Sequence, residues 1–355
     1  MKIAITADLH LAGIDDHPER YTALGNILDQ MNKEHVQHII IAGDLFDTSL
    51  KNFSDFEALC NLKKYKAIRF YIIPGNHDVG LSASSIVAEN VRIFDQPTIL
   101  KVPPEDLCFF MVPYAVEMTM GDCLEAEAET LKERTWLMVG HGDWSEGLRQ
   151  PNPYEPGVYM PLTNTDIRRY QPRRVFLGHI HAPMDRDRVH YAGSPCGLDI
   201  TECGKRRFLL YDTEGDEVEE RLVETDVIYF DEDFVMLPVG DEKAYITELI
   251  QERILSWGIA EEERSKVRVR VTLRGYCADR KGLAEWVDEA FKGYAYYKGE
   301  RPDLSGVSVS VHEDLRVIAE KVKARVQGLD WIEGFDEPSR DEILMAALHT
   351  IYGDS

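Results

Sequence analysis

Basic residues are in short supply. Lys and Arg number 40 against 63 Asp and Glu, for a formal charge of -23 at pH 7. That deficit argues against a chain that grips nucleic acid through a broadly basic surface, because affinity for phosphate backbones comes mostly from Lys and Arg displacing counterions. Cysteine is sparse too. The six residues (Cys60, Cys108, Cys123, Cys196, Cys203, Cys277) form no C-x-x-C pair, which gives no sign of a zinc knuckle or a disulfide framework and leaves a reduced, cytoplasmic chain as the expectation. No apolar run reaches membrane length, and Asp8 comes too early for a signal peptide, so no membrane partner is expected. Internal repeats and low-complexity tracts are absent as well. What is present is 355 residues with an ordinary hydrophobic share of 44%, long enough for more than one domain.

Within that chain, five apolar runs of strand length all finish in carboxylate, carboxamide or imidazole. "KIAITADLH" ends at Asp8 and His10, "HIIIAGDLFD" at Asp44 and Asp47, "YIIPGNHDVG" at Asn76, His77 and Asp78, "TWLMVGHGD" at His141, and "RRVFLGHIH" at His179 and His181. Turn chemistry accounts for any one of these, since Gly, Asn and Asp tolerate turn backbone angles. Asp44 and Asp78 taken singly read as turn or cap residues, and His141 taken singly as a satisfied core histidine. His179 and His181 are different, because residues two apart on an extended segment project the same way.

The first half alternates strand and helix. Tyr21, Leu24, Ile27, Leu28 and Met31 fall at helical spacing, as do Phe53, Phe56, Leu59 and Cys60, between runs that read as strands. This is the signature of parallel crossovers, with ligands expected at the carboxyl ends of the strands. From Thr98 short strands dominate with one clear helix around Asp122 to Arg134, which reads as a second sheet packed on the first. The acidic segment Asp231 to Asp241 is the candidate linker to a smaller α/β unit containing the alternating strand "VRVRVTLRG". Helical stripes at Leu315 to Val326 and Ile343 to Ile351 close the chain, the second opened by a capping box of Ser339 and Glu342. The expected division is 1–235, 236–312 and a helical tail 313–355.

Asp8, His10, Asp44, Asn76, His141, His179 and His181 are too many ligands for one ion and suit two octahedral ions sharing a carboxylate. Two such ions about 3.5–4 Å apart clamp a phosphoryl centre. His17, His35, His38, His190, His312 and His349 lack this context and read as surface or structural.

D-x-H, G-D-x-x-D, G-N-H-D, a lone G-H and G-H-x-H, in this order, resemble the calcineurin-like metallophosphoesterase family, and with the following "YAGSP" look most like its SbcD-type DNA repair nuclease subunits. The resemblance implies a four-layer α-β-β-α sandwich with a smaller α/β capping domain. It implies one metal on Asp8, His10 and His181, another on Asn76, His141 and His179, Asp44 bridging, and His77 facing the substrate as the catalytic residue. Two divalent ions follow, manganese first, with magnesium, iron or zinc as alternatives. DNA and an SbcC-like ATPase follow as partners, with a second copy of the chain as a further candidate. A phosphodiesterase or phosphatase for small phosphorylated molecules is the other reading, and the acidic balance suits it better.

Asp47, Arg168, Arg169, Arg173 and Arg174 are candidate substrate contacts, and Lys205, Arg206 and Arg207 a candidate backbone track, each against the alternative of a solvated surface. "FKGYAYYKGER" interleaves bases with tyrosines as single-strand binders do, or is a packed helix end. The Pro-rich loop Glu146 to Leu162 is expected to edge the site. The two terminal stripes are expected either to dock on a coiled coil or to pack on the capping domain.

Overall fold

The computed structural model describes residues 1–47, 53–102, 107–132, 134–145, 158–310, 313–330 and 338–352. Most of the Pro-rich loop and His312 lie outside the described residues. The described chain falls into two compact units, 1–198 with 205–226, and 199–204 with 227–355.

The first unit is built on two six-stranded sheets. In one, Lys2–Thr6, His38–Ala42, Arg69–Ile73 and Val91–Ile93 run parallel, with Arg207–Asp212 and Glu217–Leu222 added antiparallel at the edge. In the other, Cys108–Val112, Trp136–His141, Val175–Gly178 and Val189–Tyr191 run parallel between the antiparallel Thr98–Lys101 and Met184–Arg186. The strands are short and nearly all apolar because both faces are covered, as parallel sheets require. Ile3, Ile5, Ile40, Tyr71 and Ile73 interlock with Phe109, Met111, Leu137, Val139 and Phe176 to form the core between the sheets.

Helices take the outer faces. The helix Pro18–Lys33 buries the expected stripe of Tyr21, Leu24, Ile27, Leu28 and Met31, and Ser54–Cys60 sets Phe56 against Phe70 of the neighbouring strand. On the second sheet, Met120, Leu124, Leu131 and Ile167 cover Phe110, Met138, Val175 and Leu177. The layer order is therefore helix, sheet, sheet, helix. The single expected helix near Asp122 is two, Met120–Ala126 and Ala128–Leu131, and a further short helix, Asn164–Tyr170, was not foreseen. Thr119 with Asp122, and Thr163 with Asp166, form reciprocal capping boxes that start two of these.

In the second unit Val267–Cys277 is the central strand, pairing in parallel with Ile228–Met236, Ala295–Tyr296 and Asp303–Val309. Its alternation of buried Val267, Val269, Val271 and Leu273 with half-buried Arg and Thr is as read from sequence. The candidate linker is corrected here: Asp231 to Met236 lies within a strand, and the boundary falls at 226/227. Its acidity belongs to the polar face of that strand, where Asp231 pairs with Arg270 at 3.5 Å and Asp233 with Arg274. The helices Glu313–Gln327 and Arg340–Tyr352 pack Val326, Leu344, Leu348 and Tyr352 against Val235, Leu237 and Tyr276. Ser339 and Glu342 form the expected capping box.

Candidate metal centre

Every residue of the expected ligand set stands at, or just beyond, the carboxyl end of a parallel strand. Asp8, His10, Asp44 and Asn76 follow strands of the first sheet, and His141, His179 and His181 strands of the second. Absent side chains let the two sheets come this close. A Cβ on Gly178 would lie 2.0 Å from the carbonyl oxygen of Ala42, and one on Gly43, at φ +90°, would lie 2.1 Å from His141 Nδ1. The turns are held in sparsely populated backbone angles. Asp8, His10, Asp44 and His179 have φ of 53°, 44°, 50° and 96°, conformations costing roughly 1–3 kcal/mol each where L residues adopt them.

The side chains meet at short range. His10 Nε2 and His181 Nε2 are 3.2 Å apart, and Asp8, His10 and His181 each offer a ligand atom within 4.8 Å of the others. Asn76 Oδ1 lies 2.8 Å from His141 Nε2 and 3.0 Å from His179 Nδ1. Asp44 Oδ2 stands between the two groups, 3.6 Å from His10 Nε2 and 3.3 Å from His141 Nε2, while its Oδ1 accepts the His77 amide at 2.9 Å. The His77 ring meets the His10 ring edge-on, centroids 4.6 Å apart.

The donor set fits divalent cations. Asp8 is fully buried, and its Oδ2 has no hydrogen-bond partner among the described residues, a costly state unless a cation meets it. Burial pushes its carboxyl up to about 6, against the pull of His181 and His141. Burial lowers His10 to about 3, so it is a neutral imidazole able to ligate. Although burial opposes charge on Asp44, His141 and His10 hold its carboxyl well below the ordinary carboxylate range. Burial likewise opposes charge on His141, yet Asp44 and Asp8 raise it to about 9. Its Nδ1–H donates to the carbonyl of Ala42 at 2.9 Å, which directs Nε2 to Asp44 and Asn76. A cation held there would take the place of the Nε2 proton as the counter-charge to the carboxylates.

Around this cluster are supports, of which sequence reading had placed only Asp78, as a turn residue. Asp78 braces two of the turns, accepting from the amides of Gly75 at 2.7 Å and Phe46 at 3.1 Å, and burial with Asp44 nearby pushes its carboxyl up to about 6. Arg20 and Arg206, both buried, donate to the backbone carbonyls of His10 and His181. Arg206 also holds the carbonyl and hydroxyl of Ser194, at 2.9 and 2.7 Å. Asp143, only 1% exposed, lies 3.8 Å from His179 Nε2 and accepts the amide of Tyr159 at 2.7 Å, and the Tyr159 ring packs against the His179 ring at 4.7 Å. The H-x-D spacing of His141 and Asp143 carried the same two-apart signal that singled out His179 and His181.

Asp47 borders the cluster through Arg20, and the candidate arginines are held by other partners. Arg173 and Arg174 sit at the start of the strand that His179 follows, both on Asp216, at 3.0 and 3.2 Å. Arg169 pairs with Glu125 at 3.3 Å, Arg168 bonds the carbonyl of Asn164, and Asp47 is 3.6 Å from Arg20. Arg206 and Arg207 are buried, so they are not a solvent-facing backbone track. Tyr294, Tyr296 and Phe291 pack into the core of the second unit, as the packed alternative for that segment required. His17, His38, His190 and His349 bond Glu19, Tyr71, Asp185 and Tyr276. No described helix is long and apolar enough to cross a membrane.

The chain is 27% identical over 318 residues to the uncharacterized metallophosphoesterase YhaO of Bacillus subtilis, covering 81% of this chain and 73% of that protein. It is 26% identical over 241 residues to the SbcD component of the nuclease SbcCD of Staphylococcus epidermidis, covering 58% of this chain and 64% of that one. An archaeal phosphodiesterase of known structure aligns over 63% of this chain and all of its own length at 21% identity, with a TM-score of 0.34. The calcineurin-like phosphoesterase family model matches residues 1–183, the segment that supplies all seven candidate ligands, and the chain belongs to that family.

Proposed function

We propose that the chain is a metal-dependent phosphodiesterase acting on DNA, the nuclease subunit of a complex with an SbcC-like ATPase. The observation that supports it most is the convergence of two carboxylates, one carboxamide and four imidazoles from both sheets on a single point, with His77 beside them. The similarity to a nuclease component favours DNA over other diesters. Asp8, His10 and His181 would hold one divalent ion, Asn76, His141 and His179 a second, with Asp44 between them. Bound there, the ions, manganese first, supply Lewis acidity and a water activated for attack on phosphorus.

The chain's own groups do the rest. Arg20 and Arg206 hold the backbones of His10 and His181, and Ala42 sets the ring of His141. His77 donates a proton to the oxygen that leaves as the bond to phosphorus breaks, help typically worth about 10²–10⁴-fold. The charge of -23 supports the second reading, small phosphorylated molecules, because it repels a polyanion.

The test is hydrolysis by the purified chain with manganese of single-stranded DNA, duplex ends and bis-p-nitrophenyl phosphate, with and without the ATPase. Cleavage of DNA that the ATPase stimulates is expected. Turnover of the chromogenic diester with none of DNA under either condition overturns the nuclease reading.

A further inference from the structure

We propose that the first unit carries a second ligand site, for a nucleoside phosphate, on the outer face of its second sheet. A cavity of about 740 Å³ opens there between the helix Asn164–Tyr170 and the edge around Val189, within the size range of small-molecule sites. Trp144, Ile167 and Val189, all buried in the outer core, form its apolar part. Asn164 and Gln171 add carboxamides, and Arg168 and Arg188 add guanidinium groups. Arg186 lies over the Trp144 ring, 5.8 Å from its centroid.

Charge pairing separates these arginines from their neighbours. Among the described residues Arg168, Arg186 and Arg188 have no carboxylate partner, whereas Arg169, Arg173, Arg174 and Arg207 each do. In a chain of net charge -23, two unneutralised guanidiniums in the lining of one cavity, with Arg186 beside them over Trp144, call for an anion. Asp187 is the single carboxylate among the described residues of the lining.

The arginines are also oriented in advance. Arg168 Nε donates to the carbonyl of Asn164 at 3.2 Å and Arg188 Nη1 to that of Pro172 at 2.9 Å, which leaves further N–H groups of each fork for phosphate. Trp144 Nε1 donates to Asn164 Oδ1 at 2.9 Å, so that amide keeps its NH₂ for a ligand. An apolar floor, two carboxamides and a pair of guanidiniums match a base, its polar edge and a phosphate in turn. The volume is far larger than a bare phosphate fills.

The test is calorimetric titration of the full-length chain in EDTA, which empties the metal centre, with AMP, adenosine, inorganic phosphate and a short single-stranded oligonucleotide. AMP is expected to bind one to one, and each of Arg168→Ser and Arg188→Ser to weaken it about tenfold, the worth of a charged hydrogen bond. Gln171→Leu, which keeps the charge, is expected to weaken AMP without changing the binding of phosphate. Lack of AMP binding at millimolar concentration, affinity unchanged in the arginine variants, phosphate binding as tightly as AMP, or binding of the oligonucleotide alone would each overturn the assignment.

Discussion

Asp44 Oδ2 faces one imidazole from each half of the cluster, His10 and His141, so Asp44→Ala is expected to remove both ions and not one. Metal analysis of the purified variant that finds two ions retained refutes the bridging role. His77→Ser is the contrasting change. It is expected to keep both ions and substrate affinity while losing about 10²–10⁴-fold in turnover on DNA, and much less on a nitrophenyl diester, whose leaving group needs little protonation. Equal losses on both substrates, or loss of metal, would make His77 a ligand or an orienting group. At this scale the sequence was most legible where chemistry is local. Strand-end Asp, Asn and His announce themselves by type and spacing. Arg20 and Arg206 could not, because their contribution is a grip on carbonyls 10 and 25 residues away in the chain, made only once the fold exists. Arg206 in "CGKRRF" read as a surface charge for that reason.

Among elements, the parallel crossovers of the first half were readable because their helices are amphipathic and their strands continuous. The helix Asn164–Tyr170 was not, since its seven residues bury only Ile167 and it is set by a Thr163–Asp166 capping box more than by periodicity. The part of the candidate linker from Asp231 to Met236 is strand, and it read as a linker because its charges are satisfied by arginines that lie about 40 residues on, at Arg270 and Arg274. Two element-scale outcomes follow. Leu348→Ala, at a fully buried position of the last helix, is expected to cost about 2–5 kcal/mol in denaturant unfolding of the second unit, and a loss below that range would mean the helix is not packed as described. Gly178→Ala drives a methyl group against the Ala42 carbonyl and is expected to lower both the thermal midpoint and the metal content. Normal metal binding in that variant would show that the close approach of the sheets does not govern the centre.

For the whole molecule, the acidic balance predicts a salt response opposite to that of a basic DNA-binding protein. The isolated chain's kcat/KM on DNA is expected to stay flat or rise as salt screens repulsion, and a steep fall with salt is expected only once the ATPase is present. A steep fall for the chain alone would point to a basic track that the fold has not revealed. The division into two units was only partly legible, because the short segment 199–204 leaves the first unit to join the second, a detour no composition shift marks. The way the two sheets of the first unit meet has a consequence for endurance as well. Asp8, Asp44 and Asn76 hang from one sheet and His141, His179 and His181 from the other, so a cation held among them is a rivet through the sandwich. Only the folded chain can be riveted, so free metal at a hundred times its dissociation constant would add about 2.7 kcal/mol to the folded state. A chelator would then shorten the protein's shelf life as well as halt its reaction, and proteases would be expected to cut the stripped chain sooner.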